Sequence, residues 1–527
     1  MLALTRKGRP VQGAQDARRA RAMRQRDTDR APITSVCILG GGTAGWMTAA
    51  GLASKLRGVR ITLVESETIG TVGVGEATLP HIRFFNQTIG IDEAEFMRET
   101  RATFKLGIEF VDWGRLGDAY VHPFGDFGQS VDGVDFHQLW NRQRLAGSNA
   151  SLFEHSYPVV AAKANRFHHP SPDLDRIESS FGYAYQFDSG LYARFLRRFA
   201  ETRGVTRVEG KVVDVAQDAQ SGHVTALHLD DGHTVEAELF IDCSGFRGVL
   251  IEGALEAGYQ DWSEWLPCDR AFAVACDTPG EVAPYTRATA RKAGWQWRIP
   301  LQHRTGNGHV YCSGFISDDE AARQLMDTLP GAAHGTPRQL RFTTGRRNTF
   351  WDRNVVAIGL SAGFLEPLES TSIHLIQEGI TALLELFPDT GFQQSDRDEY
   401  NARMTLDYTR VRDFLLLHYV ATQRDDSEMW RHFRALELPD SLAAIVDAWT
   451  RRGRVPNYQR SFFLAPSWVA VFAGQNLLPS ASTPQADAMP AARATEAIAR
   501  VREDVRAAVA RAPAHMDYLA QTGARAA

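Results

Sequence analysis

The stretch Gly363-Phe364-Leu365-Glu366-Pro367-Leu368-Glu369-Ser370-Thr371-Ser372-Ile373-His374 places a carboxylate, Glu369, directly ahead of three small polar residues. That grouping can hold an anion beside an acid if a helix begins there. The pattern predicts one, because Ile373, Ile376, Ile380, Leu383, Leu384 and Phe387 recur at a spacing that keeps a single apolar stripe toward a core. Ser370 or Thr371 is the expected N-cap. The first amides of a helix lack intrahelical partners and carry the positive end of its dipole, so a halide, phosphate or carboxylate can rest there without a full cation. Taken alone, the pattern fits an ordinary capped helix equally well.

Elements elsewhere in the chain narrow the choice. Val36-Cys37-Ile38-Leu39 has the pattern of a buried strand and runs into Gly40-Gly41-Gly42-Thr43-Ala44-Gly45 and then a helical run through Leu56. In this setting Gly40 permits the tight turn, Gly42 lets the backbone approach a pyrophosphate, and Gly45 lets helix and strand pack closely. A second strand, Arg60 to Glu65, ends in an acid placed to accept a hydrogen bond from a ribose hydroxyl. Together these segments predict an adenine dinucleotide site. Further buried-strand patterns at Leu239 to Gly245 and at Asn354 to Gly359 spread the dinucleotide domain over a long span of chain. Such insertions are typical of flavoprotein oxygenases, which favours FAD over NAD.

The 527 residues, 44% of them hydrophobic, can bury a large core. A net charge of -5 gives no case for nucleic acid or an anionic membrane as partner, and no apolar run is long enough to span a bilayer. Cys37, Cys243, Cys268, Cys276 and Cys312 are scattered without CxxC spacing, which points to reduced thiols in a cytoplasmic protein and to no structural metal. Residues 1–33 are arginine-rich and lack the apolar segment of a secretory signal, so a basic disordered tail is expected.

Four segments carry a resemblance. Gly40 to Met47, Gly73-Val74-Gly75-Glu76-Ala77-Thr78-Leu79-Pro80, Gly294-Trp295-Gln296-Trp297-Arg298-Ile299-Pro300, and Glu366 to Thr371 resemble, in order and spacing, the flavin-dependent tryptophan halogenases. The W-x-W-x-I-P segment is that family's hallmark, and its indoles are thought to discourage plain monooxygenation; by residue chemistry alone Trp295 and Trp297 are core aromatics. The resemblance implies reduced FAD, oxygen and chloride or bromide giving hypohalous acid, which travels inside the protein to a lysine and a glutamate beside an aromatic substrate. Those residues fall on Lys105 and Glu369. A lysine in a dry pocket can donate a hydrogen bond to hypohalous acid or, when neutral, become a haloamine, while Glu369 can orient the oxidant and take the ring proton.

The family's halide-binding amides fall on Thr371 and Ser372, the latter in a place often held by glycine. The cofactor set by the same carry-over is Gly40, Gly42, Thr43, Ala44, Gly45, Glu65, Gly75, Glu76, Ala77, Gly359 and Leu365; the substrate set is His122, Phe124 and Trp468. The tyrosine pair and glutamate that grasp free tryptophan in the family have no recognisable counterpart in Pro456 to Trp468. A buried ammonium or carboxylate without a partner is costly, which argues against L-tryptophan and for indole or a larger indole derivative.

The fold expected is α/β: a Rossmann-like FAD domain over 34–390 with an inserted mixed sheet, around Gly182 to Phe187 and Val208 to His233, and a mostly helical substrate lobe over 391–527. Ala491 to Ala512 reads as one surface-packed helix. A separate flavin reductase is the expected partner, and the protein is expected as a monomer or homodimer. Two other functions compete, an aromatic flavin monooxygenase and a non-catalytic FAD-binding protein; neither requires Lys105 together with Glu369.

Overall fold

A computed structural model describes residues 30–68, 75–458 and 461–526. Most of the basic tail, Gly73 and Val74 of the second family segment, and Gln459 and Arg460 therefore lie outside the described residues.

A six-stranded sheet forms the dinucleotide body. Its order is Trp351–Asp352, Val355–Ala357, Leu239–Asp242, Ser35–Leu39, Arg60–Glu65 and Thr206–Glu209, parallel except at the Trp351–Asp352 edge. The central strand Ser35–Leu39 is buried along its whole length, as expected for a strand covered on both faces. Helix Thr43–Lys55 follows it at once, packing against helices Ser189–Glu201 and Ser372–Glu385. The expected strands at residues 36–39, 60–65, 239–242 and 355–357 thus all belong to one sheet, joined across long insertions.

The larger insertion is a seven-stranded mixed sheet in the order Arg338–Arg341, Arg270–Cys276, Thr305–Tyr311, Gly294–Pro300, Thr286–Arg291, Gly107–Val111 and Ala119–Pro123. Its last pair sets the register Ile108↔His122. A Cβ on Gly107 would lie 2.4 Å from the His122 carbonyl oxygen, so only glycine lets these strands close and deliver His122 to the interior. A three-stranded sheet of Gly75–Ala77, Ala184–Asp188 and Thr103–Lys105 lies nearby and carries Lys105 at its end.

Beyond residue 391 the chain is helical, with Gln394–Val420, Glu428–Ala435, Asp440–Arg452, Ala465–Gly474, Ala491–Arg511 and His515–Gln521. Helix Gln394–Val420 does not stand apart from the sheet body. Its C-terminal turns, Val411 to Tyr419, are buried, and His418 reaches Glu369. Among the described residues, no helix is long and apolar enough to cross a membrane.

Candidate active site

The cofactor side is a cleft of about 730 Å³ along the C-terminal ends of the parallel strands. Gly40, Gly42, Thr43, Ala44, Glu65, Glu76, Ala77, Gly359 and Leu365 line it, with Gly45 outside the lining. Gly40 has φ +117, and a Cβ there would lie 2.2 Å from the Cys243 carbonyl oxygen. A Cβ on Gly42, by contrast, would meet nothing within 4 Å, leaving the helix N-terminus open for a close ligand. Glu65 is oriented by Arg207, which holds Oε1. Arg194, Arg197, Lys211 and Arg247 bring positive charge to the same cleft. Desolvation pushes the Glu76 carboxyl up to about 7, so this acid is readily protonated.

Trp295 and Trp297 line the cleft from strand Gly294–Pro300. Trp295 Nε1 donates to Glu366 Oε2 at 2.8 Å, and Tyr419 Oη donates to the same oxygen at 2.6 Å. Glu366 is fully buried, and desolvation raises it to about 7. Trp295 and Trp297 are buried aromatics, as their residue chemistry suggests, and they also face the cofactor cleft.

A separate buried group lies behind the cleft wall. Lys105 is fully buried and donates from Nζ to the Thr78 carbonyl oxygen at 3.1 Å and to Ser370 Oγ at 2.8 Å. Its Nζ also lies 5.1 Å from the centre of the Phe124 ring. Burial pulls the ammonium down to about 7, opposed by the Glu369 carboxylate. Ser370 lines the cleft, so a single hydroxyl separates the lysine from the cofactor side.

Glu369, also fully buried, takes a forked contact from His122 Nδ1 at 2.9 and 2.8 Å. His418 Nε2 lies 2.7 Å from Oε1, close enough for charge pairing but not aligned as a hydrogen bond. Burial would raise the Glu369 pKa, yet the two imidazoles hold it down to about 2. His418 Nδ1 donates to the Phe414 carbonyl at 2.8 Å, which fixes the ring with Nε2 toward the carboxylate. Glu369 therefore sits between two buried imidazoles.

The helix after this turn runs Ser372–Glu385. Thr371 precedes it as expected, but its side chain makes no capping bond and its Oγ1 is buried without a partner. Ser370 is not the cap: it takes φ 60, in the left-handed region, and turns its hydroxyl to Lys105. Of the two expected caps, Thr371 holds the N-cap position, while the Ser370 hydroxyl is committed to the lysine. At the first residues of the helix the Thr371 and Ser372 amides precede any intrahelical carbonyl, and Ser372 lines the cleft.

The comparisons decide the family. The tryptophan halogenase family matches residues 35–491. The tryptophan 7-halogenase KtzQ of Kutzneria sp. (strain 744) is 36% identical, over 92% of this chain and 98% of its own. Among solved structures, Xcc4156, a flavin-dependent halogenase from Xanthomonas campestris, is similar with TM-score 0.90 and 45% identity, over 93% of this chain and 98% of that one. BrvH, a flavin-dependent halogenase from Brevundimonas sp. BAL3, gives TM-score 0.89 and 46% identity, over 93% and 99%. The chain belongs to the tryptophan halogenase family.

FAD is the cofactor this flavin-dependent halogenase family implies, and the cleft fits it. The open space over Gly42, the oriented Glu65 and the four cationic side chains suit a pyrophosphate and ribose, while Trp295, Trp297 and Leu365 supply apolar walls. Of the substrate set, His122 and Phe124 stand beside Glu369 and Lys105. Trp468 is fully buried one layer back, edge-on to Phe414 at 5.0 Å, with its N–H donated to the Phe463 carbonyl. Phe414 in turn stacks on Phe463 at 3.8 Å.

Sequence reasoning missed three partners in this halogenase. Ser370, one of the two expected caps, instead accepts from Lys105. His418 sits in Phe414-Leu415-Leu416-Leu417-His418, where a histidine ending a buried apolar run signals a polar partner at the far side of the core. Glu366 had the same signal, a carboxylate in a segment otherwise due for burial.

Proposed function

We propose that this halogenase replaces a ring hydrogen of an indole-type arene, indole or a tryptophan derivative, by chlorine or bromine, with hypohalous acid guided to Lys105. Reduced FAD, when bound, supplies with oxygen the two-electron oxidation of the halide. Thr371 and Ser372 would offer backbone amides to the halide at the helix N-terminus. A separate flavin reductase supplies the reduced cofactor, as halogenases of this family require.

The observation that carries this reading is the Lys105 to Ser370 hydrogen bond, since it links a fully buried amine to the wall of the cofactor cleft. An ordinary structural lysine would reach solvent. Nζ commits two N–H groups to Thr78 and Ser370 and keeps its remaining valence for the oxidant. Glu369, ionised and gripped by His122, is the acceptor for the ring proton as aromaticity returns.

The test supplies FAD, a flavin reductase, NADH, oxygen and bromide or chloride, then screens arenes by mass spectrometry for the halogen isotope pattern. Lys105→Ala is expected to abolish aromatic halogenation while flavin reoxidation continues. Halogenation by that variant at the parent rate would remove Lys105 from the reaction.

A further inference from the structure

The first turns of helix Ser372–Glu385 carry a second stripe opposite in character to the apolar one. Thr371, His374 and Gln377 follow at a spacing of three, which places them along one face. All three are buried, and Thr371 Oγ1, both ring nitrogens of His374 and Gln377 Nε2 make no hydrogen bond of good geometry, although the Gln377 side chain lies against the His374 ring. His374 is only 2% exposed. Facing it, His81 stacks on its ring at 4.1 Å and leaves Nδ1 unpartnered. The nearest carboxylate oxygen, Glu378 Oε1, is 3.8 Å from His374 Nε2, beyond hydrogen-bond reach. Buried polar atoms are nearly always satisfied, so four residues with open valences in one place mark a site for a ligand.

The surroundings say which ligand. Phe462 meets the His374 ring edge-on at 4.0 Å, and the same Phe462 packs on a small apolar cluster of Leu79, Phe124 and Ala184. Phe124 lies under Lys105 Nζ. One apolar patch therefore has the lysine at one end and His374 at the other. Burial and the neighbouring His81 hold His374 well below its ordinary pKa, so the ring is neutral, with one donor and one acceptor nitrogen. A neutral acceptor at the end of an aromatic-lined patch suits an uncharged heteroarene that carries an N–H, whereas a carboxylate or ammonium would arrive with no charged partner in the stripe itself.

We infer that His374, backed by His81, accepts the ring N–H of the arene and so sets which carbon faces Lys105. This deepens the proposed function and rests on its indole-type substrate. It makes His374 a specificity residue that the amino-acid clamp of the tryptophan-specific members does not supply.

Binding, read without turnover, tests it. Indole and N-methylindole, which lacks the N–H, are titrated by calorimetry into the parent protein, His374→Leu and His374→Gln. The parent is expected to bind indole about tenfold tighter than N-methylindole, the worth of one buried hydrogen bond. His374→Leu should erase that preference by weakening indole alone, and His374→Gln, which keeps an acceptor, should retain part of it. Equal binding of the two ligands by the parent overturns the inference. So does an undiminished preference in His374→Leu, or in His374→Phe if the leucine variant does not fold. A parent that prefers indole but yields no halogenated product in the reductase assay would instead sink the proposed function while leaving His374 as the N–H partner.

Discussion

Lys105 is held in a state that folding disfavours. Its folded pKa of about 7 lies below the unfolded value of 10.5, so between those two values the unfolded chain binds a proton that the folded chain does not. Stability therefore rises with pH across that window, and below about 7 the whole penalty of burying the ammonium is present. Lys105→Met should be more stable than the parent by several kcal/mol at the acid end, with the gap closing by about 1.4 kcal/mol for each pH unit above 7. Loss of the donors to Thr78 and Ser370 adds a cost to the variant that does not depend on pH, so the slope is the readout. Denaturant unfolding of both proteins across that range measures it. A gap that stays constant would mean that Lys105 is solvated in the native state, and the dry-pocket chemistry would fall with it. Glu369 works in the opposite sense, since paired imidazoles keep a fully buried carboxylate ionised.

At the scale of elements, the site depends on one turn that joins the cofactor cleft to the buried Lys105 and Glu369. The short turn Pro367–Glu369 ends in Ser370 at φ 60, a conformation that costs an L-residue about 1–2 kcal/mol. That turn points Glu369 toward His122 and Ser370 toward Lys105. Ser370→Gly removes the strain and the hydroxyl together, while Ser370→Ala removes only the hydroxyl. Both should lower halogenation several-fold by freeing Lys105, and the glycine variant should be the more stable of the two by about 1 kcal/mol in urea unfolding. An alanine variant with full activity would show that the serine hydroxyl does not position the lysine. The second anchor of the turn is Glu366, which binds strand Gly294–Pro300 through Trp295 and helix Gln394–Val420 through Tyr419. Its folded pKa of about 7 lies above the ordinary carboxyl value, so ionisation near neutral pH weakens the native state as pH rises from 4.5 to about 7. Glu366→Gln keeps an acceptor for both donors and should remove that part of the acid-side dependence, read in the same unfolding experiment. A variant whose stability follows pH as the parent's does would assign the dependence to another group.

Across the whole molecule, what could be read from the chain was whatever depends on local pattern. The strand, glycines and helix of residues 35–55 follow from periodicity and backbone freedom, and the helices at 394–420 and 491–511 follow from composition. Contacts between distant segments left weaker traces. Lys105 on a strand end, Ser370 on a turn and His418 on a C-terminal helix are brought together only by tertiary packing, and nothing local marks a serine as a lysine's acceptor instead of a cap. Substrate choice is likewise a property of the assembled molecule. Pro456 to Trp468 contains no Asp or Glu, Tyr458 is covered by the Arg410 guanidinium at 4.1 Å, and Phe462 and Phe463 turn inward on His374 and Phe414. An α-ammonium entering here would lose its hydration with no carboxylate from this segment to replace it. Indole has no such charge. Steady-state kinetics should therefore give indole a kcat/KM about tenfold or more above that of free L-tryptophan, a gap of at least ~1.4 kcal/mol in transition-state binding. Because the difference comes from desolvating the amino-acid head, it should appear mainly in KM, and it should shrink for tryptophan derivatives whose amino and carboxyl groups are blocked. Faster conversion of free L-tryptophan than of indole would place a charged clamp elsewhere in the fold and overturn the substrate class.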